Sequence, residues 1–388
     1  MTRKIISFAL NIWDSQWVNR QQLLSRLGQT HKILYSNGGW FTWDRTSPQW
    51  RLAPWFGRFE AKDNVLVDTA PRGLMRNPKA GWYDRWVIQM LIARWKRVLG
   101  SQFSHDGLAY VFHPALAVYA KALKPQRLIY HAYDLFRDAG GWNQELDQAE
   151  RWLLEHADLV IASSEAIADT FQKIVPREVR FLPNGVDYGL FVEPHAEPSD
   201  LASIPHPRLG YTGSLHPQID YGLAAELAAK YPSWHFVFVG GHAGHFEGER
   251  KTVLERCRAI TNIHFLGEKP RDQVPAYLQH MDVNLMLYLI DTNIWTNSGY
   301  PLKLHEYLAA GRPIVTANLP AIRPFHNVLA ISCNQESWEQ ELTRTLSGSN
   351  PGNPEKRRAV ARENSWDARV ATLKDWLEEI SVPIGQPL

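Results

Sequence analysis

The chain has 388 residues, which is enough for two or three domains with cores of their own. Its apolar fraction of 45% and charged fraction of 21% are ordinary for a folded soluble protein, and a net charge of +2 gives no argument for a nucleic-acid partner. Two cysteines make no disulfide framework, and no apolar stretch approaches the roughly 20 residues of a membrane span, so we expect a cytoplasmic protein.

The first half alternates short apolar runs with helical patterns, which is typical of βαβ units and parallel sheets. Its basic start is followed by an apolar run that soon meets Asn11, Trp13 and Asp14, so we expect a first strand there and no signal peptide. The helices predicted in this half are Val18–Leu27, Trp82–Leu99 and Gln144–His156. The predicted strands are Ile5–Leu10, Lys32–Tyr35, Val65–Asp68, Leu108–Phe112, Arg127–Tyr130, Leu159–Ala162 and Val179–Leu182.

The stretch from Phe41 to Gly100 is rich in tryptophan and in basic residues, with 11 lysines or arginines against five acidic residues. Aromatic rings and cations suit a membrane–water interface, so this stretch is a candidate for contact with a membrane surface. The alternative is that Trp82, Trp86 and Trp95 pack as one helix face, with the basic residues solvated opposite them. Single-stranded nucleic acids would attract the same residue types, but nothing else in the chain supports that partner.

The segment Phe191–Pro207 is rich in Pro, Glu, Ser, Asp and His without apolar periodicity, which predicts a linker. We therefore expect an N-terminal Rossmann-like domain over residues 1–190 and a second one over residues 208–364. Two doubly wound α/β domains leave a cleft between the carboxyl ends of their sheets, where ligands bind. Residues 365–388 hold a predicted amphipathic helix that is expected to pack back on the body of the protein.

The second half repeats the alternation of strands and helices. Its predicted strands are Arg208–Tyr211, His235–Val239, Ile263–Leu266, Val283–Leu287 and Pro313–Thr316. Its predicted helices are Tyr221–Lys230, Arg271–Gln279 and Leu302–Ala310.

The densest chemistry lies in Ser298–Thr316, where a helix is expected to start near Pro301 and to end at Gly311. A helix N-terminus after a glycine-containing turn is an anion site, because its free N–H groups point outward. Lys303 adds positive charge for a diphosphate, and Glu306, one turn on, can accept two hydroxyl hydrogen bonds from a ribose. The same two residues could also form an ordinary ion pair on a helix surface.

The run Pro-x-Lys-x-x-Glu-Tyr-Leu-Ala-x-Gly-x-Pro-Ile-Val resembles the donor-binding signature of GT-B glycosyltransferases. This resemblance implies two Rossmann-like domains that face each other across a cleft. It also implies a donor site at Lys303, Leu304 and Glu306, in which the lysine contacts phosphate and the glutamate contacts the ribose of a nucleotide-sugar.

Three further segments resemble parts of the same family in the expected order. They are the glycine loop at Tyr211–Leu215, the nucleobase segment at Asn262–Glu268 and the strand into the donor pocket at Val283–Tyr288. An ordinary role stays open for several of these residues: a tight turn for Gly213, a solvated loop acid for Glu268 and a core aromatic for Tyr288. The donor contacts that the resemblance implies here are Gly213, Ser214, Glu268 and Tyr288.

Glycosyl transfer needs a base for the acceptor hydroxyl, and the strand Arg127–Tyr130 runs into His131, Asp134 and Asp138. This stretch, with Leu159–Ser164, is similar to the xanthan-pathway glucuronosyltransferase and its relatives, in which an aspartate after such a strand is the base of an inverting reaction. Asp134 matches that position, with Asp138 and His131 as the other candidates. Helix capping or a loop ion pair is the alternative for either aspartate.

Retaining GT-B enzymes of the largest class carry a second glutamate eight positions before the ribose-binding one, and this chain has Ser298 there. The difference favours inversion, whereas His113, where retaining relatives often place a histidine, keeps retention open. In the family architecture the loop after the first strand lines the acceptor side. The acceptor contacts expected from these considerations are Asp14, Trp17, Arg20 and His113.

No Asp-x-Asp metal motif stands where a GT-A enzyme needs one, so we expect no cofactor and a metal-independent reaction. The resemblance implies a glycosyltransferase that moves a sugar from a nucleotide-sugar to a saccharide or lipid-linked acceptor. Among nucleotide-sugars, we expect a UDP-sugar. Surface polysaccharide synthesis at the inner face of the cell membrane would fit it. The alternatives are a nucleotide-sugar epimerase or hydrolase of this fold and a non-catalytic binding subunit; an oxidoreductase would need a Gly-x-Gly-x-x-Gly turn after the first strand, which is absent.

Overall fold

The structure, a computed structural model, describes residues 2–100, 102–138, 141–290 and 298–380. It consists of two compact units, Met1–Pro183 with Arg369–Leu388 and Asn184–Ala368. Each unit is built around a sheet with helices packed against it, so the predicted α/β class with two doubly wound units is confirmed.

The first unit contains every strand and helix that the sequence predicts for this half, with ends shifted by at most two residues. Its strands are β1 (Lys4–Phe8), β2 (Lys32–Ser36), β3 (Trp40–Phe41), β4 (Arg58–Lys62), β5 (Val65–Thr69), β6 (Met75–Arg76), β7 (Leu108–Val111), β8 (Arg127–Ala132), β9 (Leu159–Ala162) and β10 (Val179–Phe181). Its helices are α1 (Asn19–Leu27), α2 (Pro48–Leu52), α3 (Gly81–Leu99), α4 (Phe103–Asp106), α5 (Ala117–Leu123), α6 (Gln144–His156) and α7 (Glu165–Gln172).

Among the described residues, the main sheet of this unit has the order β10-β9-β8-β7-β1-β2-β5-β4. Every pairing is parallel except that of β4 with β5, which are joined by a two-residue turn at Asp63 and Asn64. Both turn residues have positive φ, a conformation that Asp and Asn tolerate better than most residues. The sequence analysis missed β4 because this edge strand is largely solvated and lacks an apolar run.

The second unit has a six-stranded parallel sheet within the described residues. Its strands are β11 (Arg208–Thr212), β12 (His235–Val239), β13 (Ile263–Gly267), β14 (Val283–Met286), β15 (Ile314–Ala317) and β16 (Ala330–Ser332). Its helices are α8 (Tyr188–Val192), α9 (Ser199–Ala202), α10 (Tyr221–Lys230), α11 (Gly248–Arg258), α12 (Val274–Gln279), α13 (Lys303–Ala310), α14 (Gln335–Leu346), α15 (Pro354–Glu363) and the start of α16 (Trp366–Glu379). The order β13-β12-β11-β14-β15-β16 is that of a Rossmann fold, with its switch point between β11 and β14.

The segment 191–207, predicted as a linker, is folded onto the second unit. Leu201 and Ile204 are buried, and Asp200 forms an ion pair with Lys269 at 2.7 Å. The Gln279 side chain donates hydrogen bonds to the carbonyls of Phe191 and Glu193, at 3.0 and 2.6 Å. Composition misled the prediction because a few irregularly spaced apolar residues are sufficient to anchor an otherwise polar segment.

The C-terminal helix α16 buries the apolar face that the sequence predicts, including Val370, Leu373 and Leu377. From Arg369 onward it belongs to the first unit, where Glu379 pairs with Arg180 at 2.5 Å. In the part of the chain that the structure describes, each helix is too short or too polar to cross a membrane.

Candidate functional site

The switch point of the second sheet gathers most of the predicted donor residues. The carboxyl end of β11 continues into Gly213, the neighbouring β14 is followed by Tyr288, and α13 begins with Lys303. Ligands of open α/β sheets bind at this position, because the loops of the two neighbouring strands diverge there.

Two glycines allow the loops after β11 and β12 to touch. Gly213 (φ +133°) donates its N–H to the Val239 carbonyl at 2.9 Å, and Gly240 has φ +153°. A Cβ built on Gly240 would lie only 2.0 Å from the Gly213 carbonyl oxygen, so no other residue fits there. A Cβ on Gly213 would lie 3.1 Å from Lys303 Nζ, which places the lysine directly over this loop.

Tyr307 ties helix α13 to the same loop, and the sequence analysis did not identify it. Its buried hydroxyl accepts the Thr212 N–H at 2.8 Å and donates to the Thr212 carbonyl at 2.9 Å. Because Lys303 lies one turn before Tyr307 on this helix, the clamp also sets the position of the lysine relative to Gly213.

Lys303 lies against two tyrosine rings. Its Nζ is 3.9 Å from the ring centroid of Tyr211, to whose hydroxyl it donates a hydrogen bond, and 5.3 Å from that of Tyr288. Burial lowers the pKa of Lys303 to about 7, although the charge of Glu306 acts in the opposite direction. A bound anion would therefore stabilise a charge that the unliganded site holds poorly.

Glu306 is half-buried one turn along α13. Burial raises its pKa to about 7, while Arg271 and Lys303 counteract the shift. Arg271 is itself paired with Asp187 at 3.1 Å. Within the described residues, neither carboxylate oxygen of Glu306 receives a hydrogen bond. The side chain can therefore accept hydrogen bonds from a ligand with two adjacent hydroxyls.

The other predicted donor residues differ in what they offer. Ser214 is half-buried next to Gly213. Glu268 is exposed at the carboxyl end of β13, and its Oε2 lies 3.0 Å from a Cβ built on Gly241. The Leu304 side chain, in contrast, is fully buried in the apolar core, so it cannot touch a ligand. Its N–H donates to the Pro301 carbonyl at 3.3 Å.

His216 is a further residue of this site that the sequence analysis missed. Its ring stacks on Tyr288 with centroids 6.0 Å apart, and burial together with the charge of Lys303 lowers its pKa to about 4. A neutral imidazole therefore lies beside the lysine at physiological pH. The only signal for it in the sequence is its place three residues after Gly213.

The predicted catalytic residues lie on the first unit. Asp134 follows β8 and is half-buried beside Tyr133. His131 was expected in the loop but is inside the strand, 1% exposed, with Nδ1 2.8 Å from the Tyr110 hydroxyl. Burial lowers its pKa to about 3, so it is a poor proton acceptor for a substrate hydroxyl. The side chain of Asp138 lies outside the described part of the chain.

The predicted acceptor residues separate into two groups. Asp14 is exposed and paired with Lys62 at 2.6 Å, and Trp17 packs edge-on against Trp13 with centroids 6.0 Å apart. Arg20 and His113, in contrast, are close enough for the arginine charge to lower the pKa of the histidine, which burial brings to about 4. His113 lies at the end of β7, where its Nδ1 accepts the Ala115 N–H at 3.1 Å.

The raised pKa of Glu306 predicts that the free energy of unfolding depends on pH. Between pH 4.5 and about 7 the folded chain binds more protons at this site than the unfolded chain, so its stability falls as pH rises through this window. Glu306→Gln should therefore become more stable than the parent with rising pH, by at most about 3 kcal/mol before solvent screening of this half-buried group is allowed for. Urea unfolding of both proteins across the window measures this difference.

The matched control for this experiment is Glu363→Gln, which changes an exposed carboxylate of the same unit. A stability difference between Glu306→Gln and the parent that does not vary with pH would contradict the electrostatic account of Glu306.

Comparisons with known proteins point to glycosyltransferases. A protein-family model described as Glycosyl transferases group 1 matches residues 206–347, and one described as Glycosyltransferase Family 4 matches residues 46–189. A putative teichuronic acid biosynthesis glycosyltransferase, TuaH of Bacillus subtilis (strain 168), is 30% identical over 241 residues. This match covers 57% of each protein, so the chain aligns with little more than half the length of that relative.

Solved structures of the same fold match almost the whole chain. Sucrose-phosphate synthase from Thermosynechococcus elongatus has a TM-score of 0.71 at 13% identity, covering 98% of this chain and 99% of that one. Anabaena Alr3699/HepE, solved in complex with UDP, has a TM-score of 0.69 at 14% identity, covering 98% of this chain and 100% of that one. These likenesses confirm the predicted fold, and the two family models together confirm the predicted resemblance. The chain is therefore similar to the family 4-like glycosyltransferases of the GT-B fold over residues 46–189 and 206–347.

Proposed function

We propose that this chain transfers a sugar from a UDP-sugar to a saccharide or lipid-linked acceptor in the synthesis of a surface polysaccharide. The observation that carries the proposal is Lys303, a cation pressed against Tyr211 and Tyr288 at the switch point of the second sheet. Its pKa of about 7 means that burial disfavours the positive charge, and a diphosphate at Nζ would stabilise that charge. The likeness to a protein solved with UDP supports the choice of nucleotide.

In this proposal the donor lies along the start of α13. Its diphosphate is bound by Lys303 and by the backbone at Gly213, which lies directly beneath the lysine. The ribose hydroxyls donate to Glu306, and the exposed Glu268 contacts the nucleobase. Positive charge from Lys303 stabilises the leaving diphosphate as the bond between the sugar and the nucleotide breaks, so the proposed reaction uses no metal ion.

We propose that Asp134 is the base. Its carboxylate removes the proton of the acceptor hydroxyl as that oxygen attacks the anomeric carbon, and the nucleotide diphosphate leaves from the opposite face. The anomeric configuration is inverted as a result. The burial of His131 inside β8 supports this choice, because a carboxylate just after the strand is better placed to meet a substrate.

The proposed donor site is tested by binding of UDP to Lys303→Met. Loss of a charge-assisted hydrogen bond should weaken binding about 10- to 100-fold relative to the parent. Calorimetric titration measures the affinity, and Lys251→Met, an exposed lysine on α11, serves as the control. The donor site proposed here would be wrong if UDP bound both variants equally well or did not bind the parent protein.

The proposed base is tested with Asp134→Asn. The amide keeps the shape of the side chain but cannot accept a proton, so UDP affinity should stay unchanged while turnover falls about 100-fold or more. Turnover is measured as acceptor-dependent UDP release from a panel of UDP-sugars, with membrane lipid extracts and polysaccharide fragments as acceptors. Asp169→Asn, exposed on α7, is the control, and unchanged turnover in Asp134→Asn would remove Asp134 as the base.

We also propose that the tryptophan-rich stretch 41–100 meets a membrane surface. Trp82 and Trp86 are 74% and 49% exposed, whereas Trp95 is fully buried, so the three do not pack as one helix face. Phe56, at the tip of the loop after α2, is 91% exposed. The loop and α3 are adjacent, because a Cβ on Gly57 would lie 2.9 Å from an Arg94 nitrogen. Apolar side chains beside arginines suit an anionic membrane interface.

The membrane contact is tested by flotation with vesicles of phosphatidylglycerol and phosphatidylcholine. The parent should float with these vesicles and Trp82→Ser/Trp86→Ser should not, because two exposed rings are lost from the surface. Ile174→Ser, which changes an exposed apolar side chain outside the stretch, is the control. Equal flotation of all three proteins would contradict the proposal.

A further inference from the structure

Arg20, in the first turn of α1, is a buried cation without a carboxylate partner. The residue is only 8% exposed. Its guanidinium forms no ion pair with any residue that the structure describes. Its Nε donates to the Asn11 side-chain oxygen at 2.6 Å, and its guanidinium lies 3.9 Å from the ring centroid of Tyr133. Buried arginines are rarely left without an anion, because removal of the charge from water is costly.

One nitrogen of this guanidinium has no partner among the described residues. Nη1 of Arg20 is buried and, among the described residues, has no hydrogen-bond acceptor. An arginine side chain presents several N–H groups in a plane that matches the two oxygens of a carboxylate or a phosphate. The unpaired nitrogen therefore indicates the chemistry of a ligand for it, an anionic oxygen of a carboxylate or a phosphate.

Two histidines nearby add hydrogen-bond donors but no negative charge. His113 Nδ1 accepts the Ala115 N–H, so in the neutral ring the proton is on Nε2, which can donate to a ligand. Nε2 of His131 is buried without a partner in the described chain, and its Nδ1 contacts the Tyr110 hydroxyl. Burial and the charge of Arg20 lower the pKa of both rings, which keeps both neutral at physiological pH.

The position of these groups in the sheet is that of a binding site. In the first unit the strand order reverses between β1 and β7, and β8 is the next strand after β7. Asn11, which orients Arg20, lies in the loop after β1, while His113 follows β7 and His131 is near the end of β8. All three therefore lie at the edge of the sheet where doubly wound units bind their ligands.

We propose that Arg20, with His113 beside it, binds an anionic oxygen group, a carboxylate or a phosphate, on the molecule held by the first unit. This inference rests on the proposed function in one respect, because that function makes the molecule the acceptor. The acceptor is then an acidic saccharide or a phosphorylated carrier, and a neutral sugar binds less well.

The test measures binding of small anions to the full chain in the Lys303→Met background, so that phosphate does not report on the donor site. Inorganic phosphate and a free hexuronate are the probes, with glucose as the neutral control and sodium chloride at matched ionic strength. Thermal unfolding should shift to higher temperature with at least one of the two anions and not with glucose. Arg20→Gln should abolish the shift, and Arg26→Gln, on the same helix, should retain it.

The outcomes separate the two sources of the anion. A shift with hexuronate alone assigns a carboxylate, a shift with phosphate alone assigns a phosphate, and a shift with both assigns a site for either group. If neither anion acts beyond chloride, or if Arg20→Gln responds like Arg26→Gln, the proposal is overturned.

A purely structural role for Arg20 would give a different pattern. Arg20→Gln would then unfold at a lower temperature while its response to anions stayed that of the parent. Should that variant fail to fold, Arg20→Lys decides, because it keeps the charge without the planar edge and should bind the anion about tenfold more weakly. Unchanged affinity in Arg20→Lys overturns the proposal. Failure of UDP binding or UDP release would overturn the proposed transfer without changing these anion titrations.

Discussion

The backbone contact between Gly213 and Gly240 is the constraint on which the donor site depends. With a Cβ at Gly240 the two loops would collide, and the loop after β11 could not lie where it does. The Tyr307 hydroxyl then holds Thr212, at the end of β11, through two hydrogen bonds. These contacts place Lys303 above Gly213, where the absence of a side chain leaves the backbone close to the lysine.

The same geometry makes charge on these two side chains electrostatically costly. Lys303 and Glu306 are both half-buried, and their partial burial moves the pKa of each towards its neutral form. A ligand that brings negative charge to the lysine and hydroxyl donors to the glutamate offsets both costs. Arg20 in the first unit is a second cation that is largely shielded from water. Its contacts there are an amide oxygen and an aromatic ring.

Local patterns in the sequence were sufficient for most elements but not for those that depend on distant partners. The strands with apolar runs were predicted to within two residues, because burial on both faces leaves a clear pattern. The edge strand β4 and the folded segment 191–207 were missed, since β4 is largely solvated and the few anchors of the segment, such as Leu201, carry no periodicity. The burial of the Leu304 side chain could not be predicted, because a motif position does not reveal which way a side chain points.

By itself, the sequence determined the α/β class, the two doubly wound units and the motif around Lys303 and Glu306, because strand runs, glycines and helix ends are encoded locally. Only the tertiary structure decided the electrostatic character of these residues. The pKa of a lysine or glutamate depends on which rings and charges surround it, and Tyr211 lies far from Lys303 in the chain. It was likewise packing that placed His131 in a core, exposed Trp82 while burying Trp95, and buried Arg20 beside an amide oxygen and an aromatic ring.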